Sequence, residues 1–375
     1  MLDTNITPDE ISTVRVPSDQ PRWRSRIQLA RGLAPTPRPW LLLLLTGVAF
    51  GPFGLGILSE NVLNVLDPAV AAALATLGAF VGMEIDVRHL RGNSSVAAGS
   101  LGAFVTLLTV AAGMLAVSAL SDSAVAMPWL LAGLLGLCAA SSATPSRPPT
   151  TETTDIGGAE DLLPIVLGLP ALAIMRSQTP TETATLTFGF TLVAIAVAVA
   201  CWLLVSRTSS VTEERVFAIG GLLLLGGAAA YLSLSSLFAG FTAGVLWRAA
   251  GPAVRDRIVQ DLGYLQRPVV GLLLLVAGAR LHVSVALIGF IAFYALFRIA
   301  GKLTGSLLAR RLIGGDALTD SSPLSPGIIG VALALNVVQV REHDDIATTL
   351  FTIVVVGSFL ADVASFLIRE PRQTL

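Results

Sequence analysis

Beyond residue 38 the chain is an almost unbroken series of apolar runs, each about 17–25 residues long, the length that carries an α-helix across a hydrocarbon layer. In lipid the backbone polar groups must be satisfied within the segment, and runs of this length that do not alternate with polar residues do so as helices. Twelve runs are counted, over about 39–58, 67–86, 95–119, 127–144, 157–175, 184–206, 215–231, 234–249, 265–280, 284–309, 325–340 and 346–368. The expected fold is an all-α polytopic membrane protein with about 12 transmembrane helices. With 54% hydrophobic and only 13% charged residues, an ordinary soluble domain is excluded.

The charges are sorted by loop. Residues 1–38 are polar and carry Arg15, Arg22, Arg24, Arg26, Arg31 and Arg38 without an apolar stretch that would serve as a signal peptide. They read as a disordered, Arg-rich cytoplasmic tail. Connections on the tail's side collect Arg88, Arg91, Arg147, Arg207, Arg215 and others through Arg372, whereas the opposite side holds only Arg176, Arg280 and Arg341. Positive residues stay inside, so both termini are expected in the cytoplasm and the chain in the plasma (inner) membrane. The expected organisation is the tail over 1–38, a transmembrane domain over 39–368, and a short cytoplasmic C-terminus over 369–375.

Within this apolar chain two carboxylates, Glu160 and Asp161, open the fifth run in Gly157-Gly158-Ala159-Glu160-Asp161-Leu162-Leu163-Pro164. An ionised side chain at the centre of a membrane helix costs about 2.5–3.5 kcal/mol on insertion scales, which makes the pair a candidate functional site. The competing reading is an ordinary helix start at the water interface. Only fifteen residues separate Pro145 from Asp161, and that crowding predicts an Asp161 displaced toward the cytoplasmic mouth. Lys302, the single lysine, lies well inside the tenth run, about 10 Å from its nearer end, and calls for a partner. Glu160 or Asp161 would supply it, with Arg298, one turn away on the same face, competing for the same carboxylates. A lysine in low dielectric can lose its proton where an arginine cannot. Asp362 in the last run reads as a second proton site or, in preference, as an interface residue near Arg369.

Two runs are broken at corresponding places, one at Thr144-Pro145 and one at Ser325-Pro326-Gly327. Interrupted helices in the two halves of a transporter mark its binding site, because the freed backbone groups need an ion, water or protein partner.

Several segments carry a family resemblance. Gly51-Pro52-Phe53-Gly54-Leu55-Gly56 is similar to the Gly-Pro-x-x-Leu-Gly signature, and Phe80-Val81-Gly82-Met83-Glu84-Ile85-Asp86 to the second-helix ending, of the sodium/proton exchanger family within the monovalent cation/proton antiporter superfamily. Ala139-Ala140-Ser141-Ser142-Ala143-Thr144-Pro145 resembles that family's broken fourth helix, and Asp161-Leu162-Leu163-Pro164 the segment holding its ion-binding aspartate. Ser233 to Gly244, Val276 to Leu281 and Arg298 to Gly305 resemble its eighth, ninth and tenth helices in the same order. The resemblance implies two inverted repeats with discontinuous helices 4 and 11, a core of helices 3–5 and 10–12 moving against a dimerising panel, and a homodimer. No counterpart of the family's C-terminal regulatory domain is expected.

The function implied is secondary active exchange of a monovalent cation, sodium or potassium, for protons, serving pH homeostasis. Asp161 would hold either a proton or a cation, with Glu160 modulating its charge and Ser141, Ser142, Thr144 and nearby carbonyls completing an oxygen shell. Pro145, Pro326 and Gly327 would make the helix breaks. Relatives with two neighbouring acids and a core lysine are electrogenic, which the set Glu160, Asp161 and Lys302 implies here by resemblance. Two other readings stay open: a non-transporting scaffold or sensor that kept the fold, and a sodium-coupled organic-anion carrier. An enzyme is not expected. His89, His282 and His343 fall at run ends without a metal-ligand cluster, and no phosphate loop or nucleophile elbow is present. No cofactor and no nucleic-acid partner are expected. Cation, proton and bilayer are the partners.

Overall fold

The computed structural model describes residues 39–84, 94–120, 128–141, 154–177, 179–207, 211–232, 235–249, 252–313, 327–341 and 344–369. They form twelve α-helices: α1 (Pro39–Phe50), α2 (Glu60–Glu84), α3 (Ser94–Leu120), α4 (Pro128–Ala140), α5 (Thr154–Arg176), α6 (Pro180–Arg207), α7 (Val211–Tyr231), α8 (Ser236–Ala249), α9 (Pro252–Ala279), α10 (Ile288–Ile313), α11 (Ile328–Val340) and α12 (Asp345–Arg369). Each corresponds to one apolar run. Five stretches are by themselves long and apolar enough to cross a membrane, Glu60–Met83, Ala97–Leu120, Pro180–Leu204, Val285–Leu312 and Asp345–Ala364, so this is a multi-pass membrane protein. The expected tail over 1–38 and the end of the chain over 370–375 lie outside the described residues.

Three boundaries differ from the sequence expectation by more than four residues. Helix α1 stops at Phe50 rather than near 58, because Pro52 has no N–H to donate and the chain turns through Gly56 at φ +69°. Helix α2 starts at Glu60 rather than 67 and runs through Pro68. Polar neighbours serve its Asp67: the carboxylate pairs with Arg280, and the carbonyl accepts a bond from Gln339 Nε2 at 3.0 Å. Helix α9 starts at Pro252 rather than 265; its 28 residues span about 42 Å, so the polar first turns extend past the apolar layer that the sequence reading was tracking.

Small residues decide which helices touch. On α2 and α8, a Cβ built at Gly78, Gly82, Gly240 or Gly244 would collide with a backbone carbonyl of the partner helix, Gly240 against Ala75 and Gly244 against Ala79. These are two small-xxx-small faces pressed together in parallel, the arrangement that lets membrane helices pack without a hydrophobic drive. Gly47 and Gly278 join α1 to α9 in the same way. Helix α10 lies antiparallel on α3, with Gly301 on Thr106 and Gly305 on Gly102.

Polar ties gather on the face where α1 leads into α2. There Arg280 at the end of α9 pairs with Asp67, Arg176 at the end of α5 donates to the Leu232 carbonyl at 2.9 Å, and Arg341 after α11 donates to the Met175 carbonyl. Thr352 Oγ1 of α12 donates to the His282 carbonyl at 3.2 Å. On the opposite face Arg248 of α8 donates to the Met83 carbonyl at 2.6 Å. Asn336 of α11, fully buried, accepts from the Ser236 backbone N–H at 3.1 Å and donates to Ser235 Oγ at 3.0 Å, so it caps the start of α8 from another helix.

Candidate functional site

Helices α4 and α11 have 13 residues each, about 20 Å of helix, too little to cross a bilayer of about 30 Å, as also holds for α1 with 12 and α8 with 14. Helices α4 and α11 end against each other. A Cβ at Gly330 would strike the Cys138 carbonyl, and Ser141 Oγ lies 2.7 Å from the positions where Gly327 and Gly330 would each carry one. Glycine at both places is what lets the start of α11 sit on the end of α4. The carbonyl end of one helix and the N–H end of another are thereby brought together, with opposite ends of their dipoles at one point.

Arg298 closes this junction. Its guanidinium donates from Nη1 to the Cys138 carbonyl at 3.3 Å and from Nη2 to the Ser141 carbonyl at 3.2 Å, and Nη1 also reaches the Tyr294 hydroxyl at 3.4 Å. Those carbonyls are among the acceptors that α4 leaves without intrahelical donors, and a cation at a helix C-terminus is stabilised by the dipole as well. Ser141 Oγ adds a donation to the Cys138 carbonyl at 3.0 Å. Arg298 had been expected as a rival partner for the carboxylate pair; the bonds described here run to two backbone carbonyls and the Tyr294 hydroxyl. Lys302 follows one turn later on α10, and both cations are buried, Arg298 at 3% and Lys302 at 6% exposure.

Asp161 is fully buried, at 0% exposure. Its level follows from the packing of α5 beside α11: Arg341 reaches Met175, and Leu333 lies on Gly168, so the two helices run parallel in register. Two turns back from Gly168, about 10 Å, Asp161 falls level with the first residues of α11 and with the crossing that Arg298 closes. Helix α5 begins at Thr154, so Asp161 is already two turns inside the helix. Glu160 lies next to it in α5, with its side chain outside the description. Ser142, Thr144, Pro145 and Pro326 fall outside the described residues; Ser141 and Gly327 are at the crossing.

Asp362 is buried, at 6% exposure, on the face of α12 that follows Ser358 by one turn, and the Arg369 side chain lies outside the described ones. Two further side chains had no motif to mark them. Tyr294 belongs to a stripe with Arg298 and Lys302 at four-residue steps, a spacing visible in the sequence. Asn336 offered no such signal, being one polar residue in an apolar run. Among the described residues no group of histidine, cysteine and carboxylate side chains is arranged to hold a metal.

A cavity of about 20 Å³ lies where the start of α11 faces α12, lined by Gly327, Ile328, Val331, Val355 and Ser358 together with Leu44 and Leu274. That volume accommodates a single water-sized guest. A larger apolar recess of about 380 Å³ opens between α1, the end of α9 and α12, with His282 and Phe53 in edge-to-face contact at its rim.

No protein-family model matches the sequence, and no curated relative matches it. Among solved structures the fold is similar to that of the sodium proton antiporter MjNhaP1 from Methanocaldococcus jannaschii at pH 8, with a TM-score of 0.61 and 17% identity, covering 92% of this chain and 95% of that one. The likeness spans nearly the whole of both chains and fixes the architecture: this chain has the fold of a sodium/proton antiporter structure.

Proposed function

We propose that the protein is a secondary transporter exchanging a monovalent cation, sodium or potassium, for protons at Asp161. The observation that carries this is a carboxylate at 0% exposure, level with the meeting point of two helices too short to span the membrane. Irregular backbone at membrane depth is tolerated where it lines a site, and an ionisable residue there is functional by default. A carboxylate holds a proton or a hard cation through the same oxygens, so occupancy by one excludes the other and couples their fluxes.

In this reading Arg298 is the fixed element. It keeps the end of α4 capped whatever Asp161 carries, since a guanidinium does not lose its proton at physiological pH. Lys302 is the adjustable cation, able to release a proton when a second positive charge arrives. Glu160 tunes the charge of Asp161. Ser141, Ser142 and Thr144 contribute oxygens, with the Ser141 carbonyl shared with Arg298. A homodimer in the plasma membrane with both ends in the cytoplasm completes the proposal, resting on the arginine asymmetry and on the fold.

The test is proton flux in proteoliposomes carrying an internal pH dye, with sodium, potassium and lithium added in turn. The wild type is expected to move protons in response to at least one cation, and Asp161→Asn to lose that response while still eluting as a folded protein. Undiminished exchange by Asp161→Asn would remove Asp161 from the site.

A further inference from the structure

Among the described residues four charged side chains are buried: Asp161 on α5, Arg298 and Lys302 on α10, and Asp362 on α12. They are two of each sign. We propose that Asp362 is the counter-charge to the cations of α10, and that through this balance it sets the pH at which Asp161 exchanges its proton, a step that rests on the exchange reading above.

Helix α10 brings two cations inward one turn apart on one face, and like charges at that spacing repel. Charges in hydrocarbon are kept when opposite charges share their surroundings. Among the described residues Asp161 alone leaves one positive charge over. Helix α12 supplies the second carboxylate at the right level, and the register of the two helices shows it. Thr352 bonds to the His282 carbonyl just ahead of α10, and Gly357, further along α12, lies against the ring of Tyr294. The helices therefore run parallel. One turn beyond that contact α10 reaches Arg298 and α12 reaches residues 361–362, about 6 Å along each axis.

The facing direction follows from Ser358. It lines the small cavity with Gly327, and Gly327 packs against Arg298 Nη2 and Ser141. Asp362 comes four residues after Ser358, on the same face, and is buried there. The titratable groups brought to this region by the packed helices are Tyr294, Arg298 and Lys302 from α10 and Cys138 from α4; Ile328–Val340 of α11 contains none. Arg310 and Arg311 of α10 are exposed at its far end. Tyrosine and cysteine are ordinarily neutral near pH 7, so among the described side chains the charge balance is carried by the two acids and the two bases, with the side chain of Glu160, next to Asp161, outside them.

Removing the Asp362 charge leaves the core one unit more positive. A positive surplus favours ionised over protonated Asp161 and opposes entry of a cation. Asp362→Asn should therefore shift the pH midpoint of exchange to lower pH by about one unit and raise the KM for the transported cation several-fold. Asp362→Glu, which keeps the charge, should retain the wild-type midpoint. A second arm does not depend on transport. The melting temperature of purified Asp362→Asn should fall, and in Asp362→Asn/Lys302→Met, where the balance is restored, it should return toward the wild type. A wild-type pH midpoint in Asp362→Asn, or a double variant no more stable than the weaker single one, overturns the proposal. If the wild type carries no cation, the exchange reading and the pH part fall together, and the melting arm still decides whether Asp362 is the counter-charge.

Discussion

Arg298 shows what one side chain does at the site. A guanidinium with several donors in a rigid plane serves two carbonyls on α4 and a hydroxyl on its own helix at once, which a lysine's single nitrogen does with less reach and no fork. Arg298→Lys should lower the unfolding free energy by about 1.5–3 kcal/mol, the range for hydrogen bonds to charged groups, and should broaden the melting transition of the detergent-solubilised protein. The position of Arg298 among apolar residues was legible in the sequence, and so was its four-residue spacing from Lys302. Its partners were not. A carbonyl oxygen is present at every residue, so nothing in Leu137-Cys138-Ala139-Ala140-Ser141 advertised which carbonyls would be left without helical donors. The same limit hid Asn336, whose work is to cap α8, and the burial of Asp362, which depends on a register between α10 and α12 that only packing sets.

At the scale of elements, small residues carry the arrangement. The contact of α2 with α8 places Gly78 and Gly82 on one helix against Gly240 and Gly244 on the other at backbone distance. Gly240→Ala drives a methyl into the Ala75 carbonyl, and the pair must separate. A loss of about 1–3 kcal/mol is expected, seen as a lower melting temperature, while Gly227→Ala on α7, where a Cβ meets nothing within 4 Å, should leave it unchanged. All twelve apolar runs became helices because run length is a direct reading of membrane thickness. Their ends were less legible. Asp67-Pro68 looked like a boundary, yet it became the interior of α2 once Arg280 and Gln339 had met the Asp67 side chain and carbonyl.

For the whole molecule, the ties between helix ends on the α1–α2 face are the feature with the widest reach. Asp67, Arg280 and Gln339 join α2, α9 and α11 at one point, and Arg176 joins the end of α5 to the end of α7. Any motion that separates these helices must first release that corner. Asp67→Asn weakens it by removing the ion pair, and amide hydrogen exchange should quicken several-fold over Glu60–Asp67 and over Val337–Arg341, with little change in α3. Unaltered exchange in both segments would show that the corner does not hold the face. The same corner also dates the assembly of the chain. Asp67 is made with the second helix, whereas Arg280 arrives with the ninth and Gln339 with the eleventh. The start of α2 therefore enters the bilayer without the partners it keeps in the finished protein, and the order of synthesis leaves this face the last to be fastened.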